Sequence, residues 1–119
     1  MSRLKGRQTI KLLFSNGQRI RTDDFQLIYK KEPQSEIVRF AVGVGKKEFR
    51  SSVLRNRIKR RLREAFQNVY RCHCMTIEPG DYFLLYQSSE LPTYQSLKTE
   101  LWHLLKKNRL LTDIVHGAM

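Results

Sequence analysis

Apolar side chains recur along this chain in two rhythms, and the switches between them mark its elements. Ile10, Leu13 and Phe14 are three and four apart, the spacing of one helix face, so residues 1–19 are expected to hold one short helix. Thr9 is its expected N-cap and Asn16-Gly17 its stop. From Ile20 to Lys31 the period falls to two, with Phe25, Leu27 and Tyr29 alternating against Asp24, Gln26 and Ile28, which predicts a strand. Glu32-Pro33-Gln34-Ser35 reads as a turn, and Ile37 to Val44 as the returning strand. Val38, Phe40, Val42 and Val44 line one face of it; Arg39, Ala41 and Gly43 line the other, where small side chains leave a shallow groove. The two strands are expected to pair as an antiparallel hairpin.

A longer helical period follows. Ser51 or Ser52 caps a helix running to about Tyr70, in which Leu54, Ile58, Leu62, Ala65, Phe66 and Val69 fall within one arc of about 120°. Arg71 to Thr76 is a connector and Glu78-Pro79-Gly80-Asp81 a turn. Tyr82 to Tyr86 is continuously apolar, as in a central strand covered on both faces. Ser88 to Pro92 is a loop, and Thr93 caps a last helix over Tyr94 to Asn108 with Leu97, Leu101, Leu104 and Leu105 inward. The expected order is helix, strand, strand, long helix, strand, helix, with room for one more short strand within Gly43 to Phe49. That is a small α+β domain, with helices packed on a mainly antiparallel central sheet. A length of 119 residues fits one domain, and residues 111–119 are expected to be a flexible tail.

Charge changes this picture most at one place. Lys46 to Arg63 carries nine Lys or Arg and a single acid, Glu48, supplying +8 of a formal net charge of +12. Opposite the apolar arc of the long helix lie Asn56, Arg57, Arg60 and Arg63, flanked by Arg55, Lys59 and Arg61. Like charges at this density repel one another along a helix, and the arrangement is tolerated when a polyanion binds. Arginine outnumbers lysine five to one between Arg55 and Arg63, which suits forked contacts to phosphate. Asn56 is the one uncharged polar side chain on that face, too little to read base edges in a DNA groove. Backbone charge beside an aromatic-lined groove points instead to structured or single-stranded RNA.

Other chemistries find little support. The adjacent acids Asp23-Asp24 read as a solvated strand entry, without the carboxylate cluster that a metal nuclease needs. His73, His103 and His116 are scattered, and no nucleophile stands in a recognisable setting. Cys72-His73-Cys74 cannot close a four-ligand zinc site alone, and two cysteines make no disulfide framework. No apolar run approaches the roughly 20 residues of a membrane span, and the N-terminus lacks the apolar segment of a secretory signal. A reducing, cytoplasmic setting is expected, with no membrane and no obligate protein partner. The aromatics Phe14, Phe25, Tyr29 and Phe40 are explained by core spacing without any ligand.

The run RNRIKRRLREAF from Arg55 to Phe66 resembles the signature of the protein subunit of bacterial ribonuclease P. The likeness extends over most of the chain: Arg3-Leu4-Lys5, FQLIYK from Phe25, RFAVGVGKK from Arg39, DYFLLY from Asp81, and the leucine-rich last helix. The resemblance implies a ribosomal-protein-like fold with a left-handed crossover through the basic helix, against the usual preference. It implies a catalytic RNA partner, the ribonuclease P RNA, which performs Mg²⁺-dependent removal of the 5′ leader of precursor tRNA. It places Arg55, Asn56, Arg57, Arg60 and Arg63 on the RNA-facing surface, with Lys46 and Lys47 as a basic pair at the strand end. Arg50, Lys59 and Arg61 complete the expected RNA-binding set. It also implies a cleft for the single-stranded leader, expected to involve Ile10, Phe14, Phe25, Tyr29 and Arg39. Phe14 matches one family aromatic on the first helix; Ile10 stands where the other would be, and an aliphatic side chain cannot stack on a base, so Tyr29 or Phe25 is expected to compensate. Two rival readings are a ribosomal-type structural RNA-binding protein, needing no leader cleft, and a self-sufficient metal nuclease.

Overall fold

A computed structural model describes residues 2–45, 47, 49–71, 75–88 and 90–113. Lys46 and the Cys72-His73-Cys74 run lie outside the described residues. The elements run β1 (Ser2–Arg3), α1 (Arg7–Asn16), β2 (Gln18–Arg21), β3 (Phe25–Lys31), β4 (Val38–Val44), α2 (Ser52–Tyr70), β5 (Met75–Ile77), β6 (Gly80–Tyr86), α3 (Tyr94–Lys107) and β7 (Leu111–Asp113). The small α+β architecture and the three helices match expectation.

Local details differ for identifiable reasons. Helix α1 begins behind Gly6, whose φ of 96° favours glycine, rather than behind Thr9. Gly17 ends it as expected, but with an extended φ of −77°. What demands glycine there is space: a Cβ would lie 2.5 Å from the Leu13 carbonyl oxygen and 3.0 Å from that of Tyr29. The strand expected from Ile20 to Lys31 is two strands, β2 and β3, folded back on each other antiparallel. Thr22 makes the turn, its Oγ1 accepting from the N–H groups of Asp24 (3.3 Å) and Phe25 (3.1 Å). Thr-Asp-Asp contains no glycine or proline to announce it.

The expected β3–β4 hairpin does not form. The five-stranded sheet has the order β1-β4-β6-β3-β2, with β6 between the two. β6 pairs antiparallel with β3 (Phe25 opposite Tyr86, Lys31 opposite Gly80) and parallel with β4 (Val38 opposite Gly80, Val44 opposite Tyr86). β1 adds to β4 in parallel, so the sheet is mixed rather than mainly antiparallel. The physical reason is burial: β6 is the strand with the longest unbroken apolar run, and the centre of the sheet removes most of it from water. Residues 32–37 need only cross two strand spacings, about 10 Å, to admit it. Helix α2 is the crossover that returns the chain from the end of β4 to the start of β6. Beyond Val44 the described residues hold no strand before Phe49. Leu111–Asp113, placed by sequence in a loose tail, instead pairs with β5 in a two-stranded ribbon. The remainder of that expected tail lies outside the described residues.

The main core lies between one sheet face and helices α2 and α3. Phe25, Leu27, Phe40, Tyr82 and Leu84 meet Ile58, Leu62, Phe66, Leu101 and Leu105 there. Phe40 and Phe66 stack with centroids 4.5 Å apart and planes 8° from parallel. A smaller cluster of Leu4, Leu13 and Ile28 sits under α1 on the other face. Ten residues make a helix only about 15 Å long, too short to cover that face. Ala41, Phe83 and Leu85 are therefore left half-buried against the smaller cluster. No helix among the described residues is long and apolar enough to cross a membrane.

Candidate nucleic-acid interface

The basic face is aimed by the core beneath it. Ser51 Oγ accepts from the Leu54 N–H at 3.3 Å, starting α2 where the sequence places it. Ile58, Leu62, Ala65, Phe66 and Val69 are buried, which fixes the helix's rotation and turns Asn56, Arg57 and Arg60 to solvent. Lys47 and Arg50, in the segment before the helix, are exposed as well. Among the described residues the two ion pairs are Lys30–Glu32 and Arg39–Asp81, so the arginines of α2 keep their charge uncompensated. An uncompensated cluster of this kind attracts phosphates and releases their counterions on binding.

The structure divides the expected RNA-binding set. Arg55 is half-buried, its Nη1 donating to the carbonyl oxygens of Phe49 and Arg50, both at 2.8 Å. It fastens the preceding loop and so sets where Arg50 sits. Arg61 donates to the Pro92 carbonyl oxygen, tying α2 to the segment that leads into α3. Lys59 is half-buried. Arg63 turns toward the sheet edge, where it lines a cavity of about 350 Å³ with Arg3, Leu4, Phe40, Ala41, Val42 and Gln67. Because β1 pairs with β4 only at Arg39 and Phe40, the β4 edge beyond them is open along this cavity. Two guanidinium groups and an amide there suit an anionic backbone.

The second surface is the uncovered sheet face beside α1. Phe14 is half-buried, its ring edge-to-face with Phe83 at 4.9 Å and 75°. Ile10 packs in the same cluster one turn earlier. The floor is Ala41, Phe83 and Leu85, and the Phe83 ring packs so closely over Gly43 that a Cβ there would lie 2.9 Å from Phe83 Cζ. Sequence reasoning missed Phe83 and Leu85 by reading β6 as covered on both faces. The period-two alternation within DYFLLY already separated them from Tyr82, Leu84 and Tyr86, but not the extent of α1.

Phe25 and Tyr29 do not join this surface. Both belong to the main core on the opposite face, with Phe25 fully buried and Tyr29 6% exposed. The Tyr29 hydroxyl donates to Gln18 Oε1 at 2.6 Å, and its ring stacks on Tyr82. Compensation for Ile10 by either ring is therefore overturned by strand parity. Arg39 is on the α1 side, but its Nε and Nη2 are held by the Asp81 carboxylate at 2.8 Å each. It sits four residues along β4 from Gly43, roughly 13 Å away.

Acidic groups gather elsewhere. Asp24 and Glu100 line an open groove of about 880 Å³ between the β2 edge and α3, together with Thr22, Thr99 and His103. Burial, and then the hydrogen bond and charge of Asp24, push the Glu100 carboxyl up to about 7. Asp24 is thus half-buried beside another carboxyl rather than freely solvated at a strand entry. Among the described residues no three His, Cys, Asp or Glu side chains are placed to hold a metal ion.

Known proteins are similar to this chain in sequence and fold. The Ribonuclease P family model matches residues 1–109. A Synechococcus ribonuclease P protein component is 34% identical over 119 residues, covering 94% of this chain and 86% of that protein. The Bacillus pumilus protein component is 31% identical over 109 residues, 90% of this chain and 87% of its own. The solved Staphylococcus aureus RNase P protein overlays with a TM-score of 0.75 at 25% identity, covering 91% and 95% of the two chains. The Thermotoga maritima RNase P protein shares the fold, with a TM-score of 0.72 over 88% of this chain and 96% of its own.

Proposed function

The chain belongs to the ribonuclease P protein family, and we propose that it serves as the RNA-binding subunit of an endoribonuclease whose partner RNA carries the chemistry. Among the described residues, its own groups assemble no hydrolytic centre. The basic face bears no acid–base pair, and the carboxyl pair at Asp24 and Glu100 lies in the groove between β2 and α3, not on that face. The residues do not fit a protein-held Mg²⁺ site either, since the described carboxylates form no ligand set and the exposed arginines repel cations. Mg²⁺ is assigned to the RNA partner and its substrate.

The observation that carries this reading is the pairing of two surfaces. Arg57 and Arg60, with Lys47 and Arg50, present charge to phosphates of the partner RNA, and Asn56 adds a neutral amide beside them. The uncovered face between α1 and the sheet presents Phe14, Phe83, Leu85 and Ala41 to the single-stranded 5′ leader of precursor tRNA, in the cytoplasm. Neutralising phosphates near the cleavage point reduces repulsion between the two RNAs, so that less Mg²⁺ is needed to bring them together. A ribosomal-type structural protein would need the first surface and not the second.

Reconstitution tests it. Purified protein alone should leave precursor tRNA intact, and protein with its ribonuclease P RNA at low-millimolar Mg²⁺ should release the leader. Cleavage by the protein without RNA, or no effect of the protein on the RNA's activity at low Mg²⁺, would overturn the assignment.

A further inference from the structure

The cleft has an unexpected occupant beside Phe14. The Arg19 guanidinium carbon lies 5.5 Å from the Phe14 ring centroid, and Arg19 Nη2 donates to the Phe14 carbonyl oxygen at 2.8 Å. That carbonyl belongs to the last turn of α1, where backbone acceptors lack helical partners and attract cations. One residue thus supplies both anchors, a ring and a carbonyl, and β2 sets Arg19 two residues beyond the Gly17 that ends the helix. Arg19 is exposed, and neither ion pair among the described residues involves it.

We propose that Arg19 is the second stacking platform of the leader cleft, standing in for the ring that Ile10 lacks. Phe83, Phe14 and Arg19 form a continuous series, ring edge to ring face at 4.9 Å and guanidinium over ring at 5.5 Å. The outer plane of a guanidinium stacks on a base as an aromatic ring does, while its remaining N–H groups reach the adjacent phosphate. Two fixed contacts leave Arg19 little rotamer freedom to lose when a nucleotide arrives. Ile10 offers no plane, and Phe25 and Tyr29 are committed to the opposite face. This inference rests on the leader-cleft reading above and adds to it the residue that receives the base.

The test uses holoenzyme reconstituted with the partner RNA and measures affinity for precursor tRNA and for mature tRNA. Arg19→Ala should reduce the preference for leader-bearing substrate about five- to tenfold, the loss of one stacked nucleotide, and leave mature tRNA unaffected. Arg19→Lys, which keeps charge without a plane, should recover only part of it. Abasic substitutions scanned along the leader should find one position that weakens binding to wild type and not to Arg19→Ala. If Arg19→Ala keeps or increases the preference, the guanidinium merely shields Phe14 and the proposal falls alone. If wild type itself shows no preference for leader-bearing substrate, the cleft reading falls and takes this one with it.

Discussion

Removing one exposed arginine from α2 should change how RNA binding responds to salt, by an amount the structure sets. Arg57 and Arg60 are exposed and neither forms an ion pair among the described residues, whereas Arg61 is spent on the Pro92 carbonyl and Arg39 on Asp81. Each phosphate neutralised on duplex-like RNA contributes about −0.9 to the slope of log affinity against log salt. Raising salt fourfold therefore costs about 3.5-fold per contact, or roughly 0.7 kcal/mol. Arg60→Ala should flatten the slope by about one such unit, and Arg57→Ala with Arg60→Ala by about two. Arg39→Ala should leave the slope unchanged. Arg61→Ala should also leave it unchanged, yet lower stability by about 1–2 kcal/mol, because it strands a carbonyl between two elements. Filter-binding titrations against the partner RNA at several salt concentrations, with thermal melts of each variant, provide both readings. Equal slopes for Arg60→Ala and wild type would refute the outward-face argument. A slope change for Arg61→Ala as large as that for Arg60→Ala would refute the division between docking and structural arginines.

Two further outcomes follow from the cleft floor and from the Glu100 carboxyl. Gly43→Val puts a Cβ 2.9 Å from Phe83 Cζ, displacing the cleft floor. It should weaken leader-bearing substrate more than mature tRNA while costing about 1–3 kcal/mol of stability, and equal losses of affinity for both would show that this face touches no leader. Glu100 titrates at about 7 in the fold against an ordinary 4.5, so the native state holds a proton that the unfolded chain releases. Stability from this group is therefore present below about pH 4.5 and is lost as pH rises toward 7. Glu100→Gln should gain on wild type from acidic to alkaline pH, by no more than ~1 kcal/mol at so partly exposed a site. A melting-temperature difference independent of pH would show that burial and Asp24 do not raise the Glu100 carboxyl.

Much of the molecule is written locally. The stripe from Leu54 to Val69 specifies α2, its cap and its inward face without reference to any partner, because helix periodicity and burial are properties of neighbouring residues. The same holds for α3 and for the alternation of β3 and β4. The charge of Lys46 to Arg63 is likewise a sequence fact, and with RNRIKRRLREAF it was enough to indicate RNA and the family.

Tertiary structure decided what depends on distant partners. Alternation told which residues of β3 share a face, but not that β6 would enter between β3 and β4, since central burial of DYFLLY outweighs the proximity of a short turn. Parity then placed Phe25 and Tyr29 in the core, and the length of α1 left Phe83 and Leu85 uncovered. Eight arginines and lysines look alike along Lys47 to Arg63 until a loop brings Phe49 to Arg55 and Pro92 to Arg61. Those carbonyls come from the fold, and they separate the cations that hold the protein together from those left for RNA. The ring that Ile10 lacks was sought in the wrong strand for the same reason: the contact between Arg19 and Phe14 joins a helix end to a strand that sequence reasoning had merged with its neighbour.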